Sequence, residues 1–252
     1  MKPGEHSIKI NHQNKKMKNS LGYIVGYSCL LTLVCGVVLA LAAVGLKTKQ
    51  DENIALEKKQ NILSAAGIKT ASKEEAVATY GKQVVSYVIN AEGKKMEGKK
   101  VEDVAIADEY KKPEKERLLP VYEITNAQDK NKIESVVVPV YGFGLWNNIS
   151  GFVSLQSDMN TIKGAKFDHV GETPGLGARI ASDEIQNRYV GKKLFEGDKL
   201  MSVVMQKGEG VKYDSPYQVD GMSGATITGK GLNNMLTNYF GLYSKYLKAK
   251  KS

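Results

Sequence analysis

The chain has 252 residues, 42% of them hydrophobic and 25% charged, which excludes an intrinsically disordered chain and leaves room for one large folded domain or two small ones. Its formal charge of +9 sits mainly at the ends: residues 1–20 hold five lysines and one glutamate, and residues 241–252 hold four lysines and no acid. A near-neutral body without a basic face interleaved with aromatics excludes a nucleic-acid binder, whereas two lysine-rich ends fit an anionic membrane surface.

Residues 21–46 carry no charged side chain. That run exceeds the roughly 20 residues a helix needs to cross the hydrocarbon core, and it predicts a transmembrane helix. The competing reading is a cleaved signal peptide ending near Ala40-Leu41-Ala42, but the apolar run is longer than a signal core of about 7–15 residues and continues past those alanines. Gly22 with Gly26, and Gly36 with Ala40, have the small-xxx-small spacing that lets helices pack closely in lipid, or simply face the lipid. Five lysines precede the span and four follow it closely, so the positive-inside rule favours a cytoplasmic N-terminus by a margin of one. Cys29 and Cys35 both lie in the span, six residues apart and so on different helix faces; the rest of the chain has neither a disulfide nor a thiolate metal site.

Beyond the span, residues 53–66 have loosely helical apolar spacing that stops at Gly67 and continue the stalk. Ser72-Lys73-Glu74-Glu75 matches a capping box and opens a short helix ending near Gly81, followed by a strand over residues 83–89. Residues 92–117 hold eight basic and eight acidic side chains and read as a solvated face or linker. Residues 121–125, 133–140, 152–156 and 162–167 are rich in β-branched and aromatic residues between turn signals, as in an antiparallel meander. Residues 200–205 add a further strand and 180–189 a weak helical pattern. From Leu232, apolar residues at i, i+3, i+4 and i+7 predict a long amphipathic C-terminal helix. The expected architecture is α+β: a basic tail (1–20), one transmembrane helix (21–46), a stalk and membrane-proximal region (47–117) and a ligand-binding domain (118–252) with a largely antiparallel or mixed sheet and the long final helix.

Three glycine-rich stretches carry the chemistry. Asp220-Gly221-Met222-Ser223-Gly224-Ala225-Thr226 runs straight into the C-terminal helix. Small residues there let a phosphate approach the backbone, helix-start amides point outward as donors to an anion, and a threonine hydroxyl at that place can carry a phosphoester. Read without context, the same residues make only a turn and cap. His169-Val170-Gly171-Glu172-Thr173-Pro174-Gly175-Leu176-Gly177 specifies a sharply turning loop, either a plain turn or a flat surface for a planar ring with its amides exposed. In Gly142-Phe143-Gly144-Leu145-Trp146-Asn147-Asn148, Trp146 stands beside a cofactor or packs in the core.

Gly144-Leu145-Trp146, Gly171 to Gly177, Gly191-Lys192-Lys193 and Val219 to Thr226 resemble, in order and spacing, the FMN-binding domain family as it occurs in a flavin-binding subunit of the bacterial sodium-translocating NADH:quinone oxidoreductase, and the N-terminal anchor agrees. The same motifs occur in the flavin subunit of the related Rnf electron-transport complex; the Gly-Leu-Trp element favours the first. Where the family often has Thr-Ser after Ala-Thr-x, this chain has Thr228-Gly229, which leaves the attachment residue alone and the helix cap open.

The resemblance implies FMN held by a phosphodiester on Thr226, installed from FAD by a separate flavin transferase. It further implies a periplasmic domain on a single-pass protein of the bacterial inner membrane, with other integral membrane subunits as partners. The chain is then an electron-carrying subunit, not catalytic alone, of a complex that couples NADH oxidation by quinone to sodium export. Asp220, Ser223, Gly224 and Ala225 are expected around the attachment point, with Asp220 orienting the loop or helping bind the transferase's metal. Glu172, Thr173, Gly175, Leu176, Gly177 and Trp146 are expected at the ring, the backbone amides of Thr173 to Gly177 tuning its potential. Lys207 is either a cation near the phosphate or ring, or a solvated surface residue. No dinucleotide fingerprint is present, so NADH itself is not expected to bind, and one helix makes no ion path. His169, the one histidine outside the N-terminal tail, lies in a different motif from Thr226, in keeping with a base supplied from outside. The alternatives are the Rnf counterpart and a membrane-tethered module that binds FMN without a covalent bond.

Overall fold

The computed structural model describes residues 21–251; the basic tail expected over residues 1–20 lies outside the described residues. The described residues divide into two units, one ending at Asn53 and one beginning at Ile54. Helix α1 (Leu21–Ala65) supplies the described residues of the first, and all of them are exposed. This stretch is long and apolar enough to cross a membrane, and a helix satisfies its own backbone groups, as a lipid interior demands. Cys29 and Cys35 are free.

In the second unit, the last turns of α1 bury Ile62, Leu63 and Ala65. The helix closes as a Schellman motif, with the amide of Ile68 donating to Leu63 O and that of Gly67 to Ser64 O, both at 2.9 Å. Helix α2 (Lys73–Gln83) begins where the capping box predicts, Ser72 Oγ accepting from the Glu75 amide at 3.1 Å. The Glu75 carboxylate reaches back to the Ala71 amide at 2.6 Å, and the helix runs two residues past Gly81.

The meander is a five-stranded antiparallel sheet, β1 (Val84–Ile89), β2 (Leu119–Thr125), β3 (Ile133–Phe143), β4 (Asn148–Gln156) and β5 (Ile162–His169), in sequence order across the sheet. Both faces are covered, which is why β3 reads as a continuous valine run rather than an alternating one. Val136, Val138 and Val140 pack with Leu232, Leu236, Tyr239, Phe240 and Tyr243 of the C-terminal helix α5 (Thr226–Lys251). Val137, Tyr122 and Ile124 pack on the other face with Ile62, Ala65 and Ala66 at the end of α1.

The structure differs from the sequence expectation in three places. Residues 92–117 are not a solvated linker throughout. Val101 and Val104 are buried against the α1 face of the sheet, and the short helix α3 (Ile106–Tyr110) buries Glu109, whose carboxylate accepts from the Leu118 amide at 2.9 Å and from Lys112 Nζ at 2.7 Å. The expected strand over 200–205 is interrupted by Ser202, which takes the left-handed region at φ 59°. What forms instead is a pair of two-residue ladders: β6 (Phe195–Glu196) with β7 (Lys199–Leu200), and β8 (Val204–Met205) running parallel to β9 (Gln218–Val219). The helical pattern over 180–189 is likewise divided into a 3-10 turn (Gly177–Ala181) and helix α4 (Asp183–Asn187), separated by Ser182, whose hydroxyl caps α4.

Helix α5 lies so close to β3 that a Cβ built on Gly231 would collide with the carbonyl oxygen of Phe143. Alanine ordinarily stabilises a helix interior by about 1 kcal/mol over glycine. Here Gly231→Ala is expected to lower the thermal melting temperature rather than raise it.

Candidate functional site

Strands β3 and β5 run in the same direction in an antiparallel meander, so the loops that leave them emerge at one end of the sheet. Those loops are the Gly-Leu-Trp stretch after Phe143 and the glycine-rich stretch after His169. The third motif leads into α5, whose residues Gly231 and Met235 pack against Phe143, Gly144 and Gly142. Three segments distant in sequence therefore meet at the start of α5.

Glu172 holds them together. The residue is only 4% exposed. Oε1 accepts from the amides of Leu145 and Trp146, both at 2.9 Å, and Oε2 accepts from the Thr228 hydroxyl at 2.6 Å. A Cβ on Gly144 or Gly177 would run into this carboxylate, which accounts for both glycines by close approach. Burial alone would push the Glu172 carboxyl up, but the hydrogen bonds from Thr228 and from the backbone of the 145–147 loop outweigh it and hold the group below the usual carboxylate range. Both oxygens are occupied inside the protein, so Glu172 serves as a brace. Thr228, where the family pattern left the cap open, is the partner that ties it to α5. The His169 ring also works within its loop, Nδ1 accepting from the Glu172 amide at 3.3 Å.

Thr226 is the first residue of α5 and is half-buried. It borders a groove of about 240 Å³ together with Lys207, Lys230, Gly229, Asn233 and Met205, and no carboxylate lines it. Neither Lys207 nor Lys230 makes an ion pair among the described residues. First-turn amides of a helix lack partners within the helix, so donors, two cations and a hydroxyl converge there: a set suited to a phosphate ester. Asn233 fixes the opposite wall by behaving as a strand, its side chain accepting from the Met205 amide at 2.7 Å and donating to Met205 O at 2.9 Å.

In the Gly-Leu-Trp loop, Trp146 is 70% exposed, and its indole Nε1 donates to Thr173 Oγ1 at 3.1 Å. Leu176 is also exposed, and its side chain lies where a Cβ on Gly224 would be. Its amide is used within the loop, donating to Thr173 O at 3.1 Å. Thr173 and Gly175 are exposed, while Gly177 and Ala225 are buried. The Ser223 amide donates to Glu209 at 3.0 Å. The Asp220 carboxylate is engaged by loop amides, Gly210 at 2.8 Å and Val211 at 3.2 Å, and no cluster of metal-ligating side chains occurs among the described residues. Gly191-Lys192-Lys193 stays outside the site: Lys192 Nζ donates to the carbonyl oxygens of Tyr213 and Ser215. Sequence reasoning missed Lys230, Asn233, Arg179, Arg188 and Glu209. Lys230 alone left a trace, being one helical turn after Thr226.

Residues 144–240 match the family model described as an FMN-binding domain. The chain is similar to the NqrC subunit of the Na(+)-translocating NADH-quinone reductase of Haemophilus ducreyi, 36% identical over 89% of this chain and 91% of the relative, and to that of Vibrio parahaemolyticus, 32% identical over 90% and 92%. The crystal structure of the same subunit from Parabacteroides distasonis superposes with a TM-score of 0.69 at 33% identity, covering 80% of this chain and 96% of that one.

Two outcomes follow for stability. Glu172→Ala leaves three donors without their acceptor and is expected to lower the unfolding free energy by about 2–4 kcal/mol in chemical denaturation. Glu209 is also held below the usual carboxylate range, chiefly by hydrogen bonds from Arg179, as Glu172 is by Thr228 and the loop amides. A carboxylate depressed on folding adds stability that is present above its unfolded pKa, about 4.3, and lost as pH falls through the folded value. Acid titration of the melting temperature should therefore show a steeper fall below about pH 4.3 in the parent chain than in Glu209→Gln.

Proposed function

The chain belongs to the NqrC family of the Na(+)-translocating NADH-quinone reductase, and from that premise we propose that it carries one FMN as a phosphodiester on Thr226. It is a membrane-anchored, electron-carrying flavin subunit. The observation that supports the attachment residue is the position of the Thr226 hydroxyl at the first residue of α5, in an acid-free groove bordered by Lys207 and Lys230. In the transfer, Thr226 Oγ1 forms a bond to the FMN-side phosphorus of FAD, the pyrophosphate bond breaks, AMP leaves with the electron pair, and the hydroxyl proton passes to a base of the transferase.

The resulting phosphodiester keeps one negative charge. The α5 amides and the two lysines offset it, so no further cation is needed. Bound FMN supplies reversible one- and two-electron chemistry, and the covalent bond keeps it in place between partners even at an exposed site. Trp146 and Leu176 offer apolar surface to the ring, and the amides of Thr173, Gly175 and Gly177 are candidates for tuning it. Asp220 shapes the 206–211 loop and so the place of Lys207. The apolar part of α1 anchors the chain in the bacterial inner membrane, with the N-terminus cytoplasmic and the second unit periplasmic. Sodium export belongs to the assembled complex, whose other integral membrane subunits pass electrons to and from this one.

Co-expressed with its flavin transferase and run on a denaturing gel under ultraviolet light, the chain is expected to give a fluorescent band that Thr226→Ala abolishes. Yellow protein that loses its pigment on denaturation would instead place it among non-covalent FMN binders.

A further inference from the structure

An ionic lattice lies behind the Asp220–Thr226 turn and takes no part in the attachment chemistry. Its centre is Glu209, on the loop between β8 and β9. The Glu209 carboxylate accepts from both Arg179 Nη atoms, at 2.9 and 2.5 Å, from Arg188 Nη2 at 3.1 Å and from the Ser223 amide at 3.0 Å. Arg188 also grips the turn directly, Nη1 donating to the carbonyl oxygens of Asp220, at 3.3 Å, and of Gly221. A Cβ on Gly221 would collide with the carbonyl oxygens of Gln206 and Gly208, so this turn and the Glu209 loop fit only as closely packed backbones.

Arg179 stands two residues after Gly177. A single carboxylate thus joins the loop bearing Thr173 and Leu176 to the turn bearing Thr226. These side chains are about one-fifth exposed, 26% for Arg179, 17% for Arg188 and 22% for Glu209, and the Arg179 contact is a two-pronged fork. Such pairs fix geometry better than open surface pairs do. A group tied to a threonine by an ester has several free torsions, so the tether alone cannot set its pose; the spacing of the loops around it must.

We propose that Glu209, held by Arg179 and Arg188, is a positioning residue: it fixes the spacing between the 171–177 loop and the Asp220–Thr226 turn, so that a flavin tethered on Thr226 rests in one pose against Trp146 and Leu176. The inference rests on attachment at Thr226, since the lattice touches no ligand itself. Glu184 provides an internal control. It pairs with both arginines but touches neither motif loop.

The test is polarised fluorescence of the full-length chain, flavinylated by co-expression with the transferase and purified in detergent. The parent chain should show the anisotropy of a flavin that tumbles with the protein. Glu209→Gln and Arg179→Lys should keep the covalent flavin and a cooperative melt while their anisotropy falls toward that of the same chain in denaturant; Glu184→Gln should match the parent. Parent-like anisotropy in Glu209→Gln and Arg179→Lys overturns the proposal, as does an equal loss in Glu184→Gln. If Glu209→Gln does not fold, Arg179→Lys decides alone, because it keeps the cation and loses the fork. A parent chain without covalent flavin refutes attachment at Thr226 and this inference with it, whereas a labelled parent with unaffected variants refutes the positioning role only.

Discussion

Burying a carboxylate without a cation beside it is costly unless both of its oxygens are met by hydrogen-bond donors. Glu172 meets that condition with two amides from the Gly-Leu-Trp loop and the hydroxyl of Thr228, and this requirement organises one end of the molecule. Two glycines are needed because the carboxylate passes too close for a Cβ at Gly144 or Gly177. The third donor lies two residues into α5 from Thr226, so the brace that closes the loops also fixes the beginning of the helix. Glu172, expected at the ring, ties the Gly-Leu-Trp loop to the start of α5.

The sheet makes that convergence possible. Because it is a simple antiparallel meander, alternate strands deliver their outgoing loops to the same end, and β3 and β5 are alternate strands. Helix α5 covers the face formed by Val136, Val138 and Val140, and its first turn comes to lie beside both loops. Rigid strands and a long helix therefore carry the functional residues on short tethers. Such a scaffold suits a site that must hold a redox group steady while leaving one edge open to partners.

The parts legible in the sequence were those with a period or a specific motif. The five strands of the sheet, the Ser72 cap and the C-terminal helix follow from alternation, capping chemistry and the i, i+3, i+4 pattern, and the three glycine-rich stretches pointed to one site. What escaped detection had no periodic signal. Val101 and Val104 are two apolar residues in a run of balanced charge, so nothing along the chain marked them as core. The break at Ser202 is a single left-handed residue of a type that ordinarily avoids that region. Glu209, Arg179 and Arg188 are separated by 9 to 30 positions, as their numbering shows, and look like ordinary surface charges until the fold brings them together. Asp220 was legible as a turn residue, but its amide partners on a loop ten residues earlier were not.

The central claim is that one hydroxyl, at the first residue of α5, bears the flavin. Tandem mass spectrometry of peptides from the mature, transferase-treated chain tests it most directly, because the motif offers Ser223 and Thr228 as neighbouring hydroxyls. The account predicts the FMN mass on Thr226 alone, with Thr228 unmodified because its hydroxyl is committed to Glu172. Flavin mass on Ser223 or Thr228, or on no residue of the motif, would contradict it.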